Sequence, residues 1–501
     1  MLLFFHGVRL RAIAEPSPNS PNVEVPIRRG IETTEHGPVT SVSPVSRVAG
    51  SGSRALVLVW SRMEPARVGE VIFPVAPLSV FGRYDPDDTP SDPLLMPIRQ
   101  RPGRNETRSP LAVPLHVSRR QIEFVRETPD SLAAVRSGKA PMVVNGSREV
   151  DLGARTKLDP GDTLRIGNDL VFLCTLRTRE LPPSRFLGED SLPEFGRADA
   201  AGLVGESPAA WELRDRIAFV AGIDQHVLVS GPTGTGKEIV ARAIHSLSPR
   251  RSRPMVAHSM VDIPETLAEA ELFGNRKDYP NPGTPPREGL LGSADGTTLF
   301  LDELGAVPVA LHAKLLRVLD EEGSYRKLGE DQPLRSGFRL VAATNGEPSA
   351  LRFDLLARLK LLVEVPPLTD RLEDVPLLAR HLLGRMGGSA GGEPELELIE
   401  SLLRHEFPAN VRELESLLLA GLYGATGGGP ALTEEVRARI TGNRPATADT
   451  SGMDCDRLEA ALRAEGWNVS RTARALGWSR DQLNRRMRKC GLKIPRAKAE
   501  E

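Results

Sequence analysis

A glycine-rich loop that follows a short apolar strand is the feature that most constrains this chain. The loop, residues 231–238, reads Gly-Pro-Thr-Gly-Thr-Gly-Lys-Glu and comes directly after the apolar run 227–229. Glycines at this spacing let successive backbone N–H groups surround a phosphate, and Lys237 can reach the β and γ oxygens of a nucleoside triphosphate. A helix starting near Glu238 would place its positive end beneath the same phosphates. The segment therefore predicts an α/β domain that uses a nucleoside triphosphate.

Two further strands are predicted to end at the same site. The apolar run 298–301 is followed by Asp302 and Glu303, and the run 340–343 is followed by Thr344 and Asn345. We expect Asp302 to hold Mg²⁺ and Glu303 to orient and deprotonate the attacking water. Asn345 is suited to sensing the γ-phosphate. This arrangement predicts hydrolysis of the nucleotide.

Two arginines, Arg352 and Arg358, follow the third strand six residues apart, and we expect them near one face of a helix. In that position they fit arginine fingers that reach into the nucleotide of a neighbouring subunit. Such fingers contribute roughly 10³–10⁵ in rate in other nucleotide hydrolases. The pattern therefore predicts catalysis shared between subunits.

The ordered motifs of residues 200–440 resemble the AAA+ domain of bacterial enhancer-binding proteins, which activate sigma-54 RNA polymerase. The resemblance rests on the glycine-rich loop, Glu-Leu-Phe-Gly at 271–274, Asp302-Glu303, Ala-Thr-Asn at 343–345, and the stretches 366–374 and 410–414. It implies a homo-oligomeric ring, usually a hexamer, with ATP and Mg²⁺ between subunits. The family carries Glu at the position of Glu238, where many phosphate loops have a magnesium-binding Ser or Thr.

The resemblance also implies which residues contact ATP, with Arg412 as an arginine of the helical lid. The expected ATP-binding residues are Val204, Gly205, Gly231, Pro232, Thr233, Gly234, Thr235, Gly236, Lys237, Glu238, Asn345 and Arg412.

Two positions depart from the family. Its sigma-contacting loop reads Gly-Ala-Phe-Thr-Gly-Ala, and this chain instead has Asp278, Tyr279, Pro280, Asn281, Pro282 and Gly283 at the same length. The prolines fix φ and remove backbone donors, so we expect a stiffer loop of different shape. The family also has an Asn that restrains the catalytic Glu until the γ-phosphate is sensed. His258 stands there, and an imidazole could make the coupling pH-sensitive.

Residues 54–177 have short apolar runs separated by turn residues, which predicts an all-β sandwich. Several motifs resemble the forkhead-associated (FHA) domain, which binds phosphothreonine peptides: Gly82-Arg83, residues 117–120, Asn145-Gly146, residues 158–162 and residues 165–167. The resemblance implies that Arg83, Ser118 and Arg119 bind the phosphopeptide of a partner protein.

Three departures weaken the FHA prediction. Gln121 replaces the family's structural His, Ala140 replaces the Asn that clamps the peptide backbone, and the loop from Asp85 to Thr107 is long. A sandwich that serves only as an interaction domain is therefore the alternative.

The last fifty residues predict a helix-turn-helix. Leu458, Ala461 and Leu462 form one amphipathic face, residues 469–476 a second helix, and Gly477-Trp478 a turn before a third helix at 480–489. The segment resembles the factor-for-inversion (Fis) type, and its basic residues outnumber its acidic ones. The residues expected to contact DNA are Ser479, Arg480, Gln482, Asn484, Arg485, Arg486 and Arg488.

Whole-chain properties fit a cytoplasmic regulator that contacts no membrane. The 501 residues carry 65 Lys and Arg against 66 Asp and Glu, so the chain has no general attraction for polyanions. The three cysteines lack metal-binding spacing, and a disulfide framework is not expected. The apolar run 1–5 is too short for a signal peptide, and no run reaches the ~20 residues of a membrane helix.

The sequence thus predicts a multidomain chain with an all-β FHA-like sandwich, an α/β AAA+ P-loop ATPase with a helical lid, and an α-helical helix-turn-helix. The expected boundaries are 1–53 for a disordered segment, 54–177 for the sandwich, 178–199 for a linker, 200–367 for the α/β ATPase subdomain, 368–440 for the lid, 441–452 for a linker and 453–494 for the helix-turn-helix.

Two alternative functions of the chain remain open. In the first, an ATPase ring bound to an upstream DNA site remodels sigma-54 RNA polymerase. In the second, ATP binding controls assembly of a DNA-binding regulator that does not act on sigma-54, because the loop at 278–283 is altered.

Overall fold

The computed structural model describes residues 52–442 and 455–464, apart from 76, 86–93, 129–130, 189–190, 321–322, 347, 349–350, 388–391 and 426–427. Beyond these it describes five single residues, Thr472, Leu483, Met487, Cys490 and Leu492. The segment 1–53, which we expected to be disordered, lies almost entirely outside the described residues.

The N-terminal region is a sandwich of two antiparallel sheets. One sheet has the strand order β5-β4-β2-β1-β12-β11-β8-β9, and the other has the order β10-β7-β6-β3. The strands are β1 (Ser53–Ser61), β2 (Val71–Ile72), β3 (Leu78–Phe81), β4 (Ile98–Arg101), β5 (Arg104–Thr107), β6 (Ile122–Val125), β7 (Ala133–Arg136), β8 (Met142–Val144), β9 (Arg148–Val150), β10 (Arg155–Lys157), β11 (Thr163–Ile166) and β12 (Leu170–Arg177). Leu56, Phe124 and Phe172 pack between the sheets, which confirms a mainly β domain.

Local sequence explains the β8–β9 hairpin but gives no clear signal for the β4–β5 hairpin. Asn145 (φ 55°) and Gly146 (φ 71°) both adopt positive φ in the tight three-residue turn, 145–147, that joins the two strands. The segment from Asp85 to Thr107 is not simply the long loop that we expected, because it contains the β4–β5 hairpin. The β5 strand is polar and exposed along its whole length, so it lacks the apolar alternation that identifies strands.

The central domain is a parallel five-stranded sheet of order β14-β15-β18-β13-β19 with helices around it, the α/β arrangement that the sequence predicted. Its sheet strands are β13 (Val227–Ser230), β14 (Val256–Ser259), β15 (Thr298–Asp302), β18 (Arg339–Thr344) and β19 (Leu361–Glu364), and β16 (Ser324–Tyr325) pairs separately with β17 (Leu334–Arg335). The helices are α1 (Pro208–Ala221), α2 (Lys237–Leu247), α3 (Glu265–Phe273), α4 (Gly289–Ser293), α5 (Val309–Asp320) and α6 (Phe353–Leu356). Because parallel strands end at one edge, the polar residues after β13, β15 and β18 meet there.

A four-helix lid follows the parallel sheet. It consists of α7 (Val375–Gly387), α8 (Leu396–Leu402), α9 (Asn410–Tyr423) and α10 (Glu434–Gly442), and a 3-10 stretch, Leu368–Asp374, joins it to β19. The lid helices share a core with the outer face of the large sandwich sheet. The segment 178–199, expected to be a linker, contributes to this arrangement, since Leu181 is buried and Arg101 donates to the carbonyl of Pro193 (2.7 Å).

Only part of the C-terminal helix-turn-helix is described. Helix α11 (Cys455–Ala464) buries Leu458 and Leu462 against Leu483 and Met487. Cys174 is a buried free thiol, whereas Cys490 is disulfide-bonded. A reducing compartment would favour free thiols, and Cys490 departs from that pattern. Among the helices that the structure describes, none is long and apolar enough to cross a bilayer.

Candidate functional site

The phosphate loop connects β13 to α2 with backbone geometry that only glycine satisfies at two places. Gly234 (φ 76°) and Gly236 (φ 100°) adopt left-handed conformations. A Cβ at Gly234 would lie 2.1 Å from the carbonyl oxygen of Ala409, so no side chain fits there. The Lys237 ammonium donates to the carbonyls of Gly231 (3.0 Å) and Pro232 (3.3 Å), which folds its side chain over the loop.

The two carboxylates expected at the end of β15 face this loop. Burial lowers the pKa of Lys237, and the charges of Glu303 and Asp302 oppose that shift. Glu303 has a left-handed backbone (φ 53°, ψ 58°), a strained conformation for a non-glycine residue that is frequent at functional sites. Its carboxylate accepts a hydrogen bond from the backbone N–H of Asn345 (3.3 Å), so the ends of β15 and β18 are joined through the residue expected to activate water.

Two polar side chains near the loop do not contact these carboxylates. Glu238 pairs with Arg242 one turn along α2 (2.6 Å), so its carboxylate is directed along its own helix. His258 lies on β14, opposite Leu301 of β15. Within the described part of the chain its imidazole makes no hydrogen bond, so the expected contact between His258 and Glu303 is not formed here.

The two arginines expected on one helix face are arranged differently. Helix α6 has only four residues, with Arg352 preceding it and Arg358 following it, so the expectation of a shared helix face is wrong. Arg352 pairs with Asp354, and Arg358 pairs with Asp320 at the end of α5. Arg352 is exposed and Arg358 is half-buried, and each is held by a carboxylate of this chain.

The lid closes the other side of the phosphate loop. At the start of α9, Asn410 donates to the carbonyl of Thr233 (2.9 Å) and Val411 donates to that of Gly234 (3.0 Å). The Arg412 Cβ lies 3.1 Å from the Cβ position of Gly234, which places Arg412 beside the loop. The sequence motif contained Asn410, but we had not predicted that it would contact the loop directly.

The loop before α1, where Val204 and Gly205 were expected to contact ATP, is held by Asp374 of the 3-10 stretch that precedes the lid. Gly205 (φ 141°) could not carry a side chain, because a Cβ there would lie 2.5 Å from a carboxylate oxygen of Asp374. Asp374 accepts hydrogen bonds from the N–H groups of Glu206 (2.8 Å) and Ser207 (2.9 Å) and from the Ser207 hydroxyl (2.6 Å). Asp374 was missed as a site residue, since its partners are far away in sequence. Val204 is buried beside this turn.

Glu206 makes the stability of this region pH-dependent. Burial raises the pKa of Glu206 to about 7 from its usual 4.5, although the Gly196 N–H bond and Arg214 oppose the shift. Because the folded-state pKa is the higher one, protonated Glu206 contributes to the free energy of unfolding. This contribution is present below pH 4.5 and is lost as pH rises through about 7. We expect the melting temperature of Glu206→Gln to fall less between about pH 5 and pH 8 than that of the wild type, as measured by calorimetry. Parallel profiles would contradict this.

The segment in place of the sigma-contacting loop is closed by its own hydrogen bonds. The Asp278 carboxylate accepts from the Gly283 N–H (2.8 Å), and the Asp278 N–H donates to the Thr284 carbonyl (2.8 Å). Tyr279 is folded back, since a Cβ at Gly329 would lie 2.6 Å from the tyrosine ring. Apart from half-buried Tyr279, the segment 278–283 is exposed.

The structure brings together the residues expected to hold a phosphopeptide. The Arg83 N–H donates to the Ser118 carbonyl (3.0 Å), and the Ser118 hydroxyl accepts from the Lys139 N–H (2.9 Å). Arg119 forms an ion pair with Asp85 (2.8 Å). Arg83 is half-buried, and its Nε atom is buried and makes no hydrogen bond to the residues that the structure describes.

Gln121 holds the corner that contains Ser118. Its side-chain oxygen accepts from the N–H groups of Ser118 (3.1 Å) and Ala140 (3.3 Å), and its amide donates to the Ala140 carbonyl (2.8 Å). Gln121 is fully buried. The glutamine therefore braces the two loops that flank Ser118.

The seven residues expected to contact DNA, Ser479, Arg480, Gln482, Asn484, Arg485, Arg486 and Arg488, lie outside the described residues.

Comparison with known families identifies three segments of the chain. Residues 203–363 match the sigma-54 interaction domain, residues 369–451 match the AAA+ ATPase lid domain, and residues 451–489 match the bacterial regulatory protein, Fis family. The first two segments contain the phosphate loop, both carboxylates and the lid residues described above.

Individual relatives align over the same part of the chain. The Nif-specific regulatory protein of Azotobacter vinelandii is 38% identical over 302 residues, covering 56% of this chain and 57% of that protein. The transcriptional regulatory protein ZraR of Salmonella typhimurium is 37% identical, covering 58% of this chain and 69% of ZraR. The crystal structure of NtrX from Brucella abortus is 29% identical with a TM-score of 0.44, covering 58% of this chain and 69% of NtrX. The chain spans little more than half the length of several curated relatives that it matches.

Proposed function

The chain belongs to the sigma-54 enhancer-binding proteins, and from that premise we propose that it hydrolyses ATP in a ring of identical subunits in order to activate sigma-54 RNA polymerase from a bound DNA site. The observation that carries this proposal is that the bond from the Asn345 N–H to Glu303 joins the ends of β15 and β18, and that β18 lies beside β13, which leads into the phosphate loop. The charges of Asp302 and Glu303 also act on Lys237. The lid contacts of Asn410 and Val411 close the same loop.

Each residue of the site has a role that follows from its position. The phosphate-loop N–H groups and Lys237 bind the phosphates, while Val204 and Gly205 form the wall beside them. Glu303 accepts the proton of the attacking water, and Asn345, which already bonds to it, reports the γ-phosphate. Asp302 would hold Mg²⁺ together with the phosphate oxygens, since Mg²⁺ prefers oxygen ligands, and the ion would neutralise charge on the phosphates.

Arg352 and Arg358 act on the nucleotide of the adjacent subunit in this proposal. Arg352 is exposed and Arg358 is half-buried, and ion pairs hold Arg352 to nearby Asp354 and Arg358 to Asp320 of α5. Exposed pairs are weak, typically about 0.2–1 kcal/mol, so a neighbouring triphosphate can displace either carboxylate. At the other end of the chain, Arg480 and the basic residues after it contact DNA.

The decisive experiment is open-complex formation. Purified protein, ATP, sigma-54 RNA polymerase and a promoter with the upstream site are combined, and strand opening is followed by permanganate footprinting. We expect opening with ATP and none with Lys237→Ala. If ATP is hydrolysed without opening, the protein is instead a DNA-binding regulator that does not remodel sigma-54. The closed conformation of the loop at 278–283 favours this second function.

We further propose that the sandwich binds a phosphothreonine protein partner through Arg83 and Ser118, with Arg119 at the rim. The proposal is supported by the contact between the Arg83 and Ser118 backbones and by the bracing of Ser118 through Gln121.

Arg83→Ala is expected to weaken strongly the binding of phosphothreonine peptides to the full-length protein. The substitution removes a charge-assisted contact worth about 1.5–3 kcal/mol, which corresponds to roughly one to two orders of magnitude in affinity. A phosphothreonine peptide library and fluorescence anisotropy provide the measurement. Arg155→Ala, which removes an exposed arginine paired with Glu127, is the control. If no peptide of the library binds the wild type, the sandwich is an interaction domain without phosphate recognition.

A further inference from the structure

The large sandwich sheet is apolar on both faces. Side chains alternate between faces along a strand, and the outer face of a sandwich is normally polar. In β1, however, residues 55–59 are all buried. Leu56 and Leu58 belong to the sandwich core, whereas Ala55, Val57 and Val59 belong to a second core that includes lid residues. The sheet therefore has two buried faces, and the lid covers the outer one.

This second core is continuous across the domains. Its sandwich residues are Ala55, Val57, Val59, Val68, Val71, Phe73, Val171 and Leu173. Its lid residues include Leu377 and Leu382 of α7 and Leu398 and Ile399 of α8. Separating the domains would expose these side chains at a cost of about 25 cal/mol per Å² of apolar surface. The sandwich and the lid should therefore move as one body.

Polar contacts surround this apolar core. The Trp60 indole donates to the carbonyl of Pro394 (2.9 Å), and Arg380 of α7 donates to that of Pro65 (2.7 Å). On the other side, Arg404 donates to the carbonyl of Asn145. The interface thus combines a buried centre with hydrogen bonds at its rim, as stable interfaces do.

Arg177, the last residue of β12, connects this interface to the nucleotide site. It is 2% exposed, and one of its terminal nitrogens donates to the Glu373 carboxylate (2.8 Å) and to the Glu206 carbonyl (3.0 Å). Its other terminal nitrogen donates to Gln100 of the same sheet (3.2 Å). Breaking a buried pair of this kind is costly because the remaining charge has no partner.

Two of the three partners of Arg177, Glu373 and Glu206, are adjacent to groups that form the ATP site. Glu373 lies next to Asp374, which binds the turn carrying Gly205, and Glu206 is itself part of that turn. Two residues before Glu373, buried Arg371 is directed at the Thr235 carbonyl of the phosphate loop (3.5 Å). In sequence, Glu373 therefore lies between Arg371 and Asp374, which contact the two loops that the nucleotide would touch.

We propose that Arg177 is a positioning residue for the ATP site, acting through Glu373, and that the sandwich is thereby a fixed part of the lid. The inference rests on the proposed ATP binding. A partner that binds the sandwich would then act directly on the lid, because no flexible connection separates the sandwich from the lid.

The test compares Arg177→Met with Arg54→Met in the full-length protein. Arg54 lies on the neighbouring strand, and its partners, Asp159 and the Leu158 carbonyl, belong to the sandwich alone. The dissociation constant of a fluorescent ATP analogue is measured, followed by kcat and KM for ATP. We expect Arg177→Met to weaken binding by at least about fivefold, the lower end of the usual coupling between sites. KM should rise more than kcat falls, and Arg54→Met should bind like the wild type.

Three further results decide the matter. Arg177→Lys keeps one charged donor and should recover most of the affinity, which a merely space-filling role would not predict. Arg177→Met with Glu373→Met removes the whole pair and should bind better than Arg177→Met alone; independent effects would overturn the coupling. Glu373→Gln provides the same test if Arg177→Met does not fold. Equal affinities for wild type and Arg177→Met would overturn this inference alone, whereas a wild type that binds no ATP would overturn the proposed function with it.

Discussion

Glu303→Ala is expected to leave ATP binding nearly unchanged and to lower the rate of hydrolysis by at least about tenfold, because general-base catalysis contributes typically 10²–10⁴-fold. The carboxylate lies at the mouth of the phosphate loop and bonds to the Asn345 N–H, not to the loop itself. Removing it should therefore affect water activation and not phosphate binding. Phosphate release and the affinity for a fluorescent ATP analogue are the two measurements.

Two control variants separate catalysis from binding. Lys237→Ala should weaken ATP binding itself, because it removes the cation that reaches the phosphates. Glu212→Ala removes an exposed carboxylate of α1 and should hydrolyse ATP like the wild type. If Glu303→Ala and Lys237→Ala both hydrolyse ATP at the wild-type rate, the central domain is not the ATPase proposed here.

Because Glu303 has a left-handed backbone, substitutions of Glu303 can also be compared by their melting temperatures. A non-glycine residue in this region costs of order 1–3 kcal/mol, which the surrounding structure must supply. Glu303→Gly relieves that cost and removes the carboxylate. The melting temperature of Glu303→Gly should therefore exceed that of Glu303→Ala although neither hydrolyses ATP efficiently, which would show that the strain serves the position of the carboxylate.

The nucleotide site was predictable because each of its parts is encoded locally. A glycine-rich loop and carboxylates that follow buried strands carry their own signal, and parallel strands bring their ends together without any knowledge of distant contacts. The helix-face prediction for Arg352 and Arg358 failed for the opposite reason. Helix α6 ends after one turn, and Asp320, which binds Arg358, lies on α5.

The docking of the sandwich on the lid could not be derived from sequence, although one apolar run of the sequence is related to it. The unbroken apolar run 55–59 conflicts with the alternation of a strand that has one solvent face, and it indicated that both faces are buried. Nothing in the run says what covers the second face. Arg177 and Glu373 are 196 residues apart, and no local rule connects them.

The loop at 278–283 is expected to bind sigma-54 only weakly when the protein is trapped with a transition-state mimic of ATP. A loop that pushes on sigma has to present a mobile, partly apolar tip. Here the Asp278 carboxylate closes the loop onto Gly283, and Tyr279, the only aromatic residue of the segment, lies against Gly329. Two prolines restrict the remaining backbone. Binding is measured by native gel shift with purified sigma-54.

Replacing the six residues by Gly-Ala-Phe-Thr-Gly-Ala should create or strengthen binding, since the loop already has the family length. Gly-Ala-Ala-Ala-Gly-Ala is the matched control, because it frees the backbone equally but supplies neither the aromatic ring nor the hydroxyl. Binding by the first replacement and not by the second would assign the contact to Phe and Thr, and equal binding by both would assign it to loop mobility. Strong nucleotide-dependent binding by the unmodified protein, lost in Tyr279→Ala, would show instead that Tyr279 leaves Gly329 in the ATP-bound ring and contacts sigma itself.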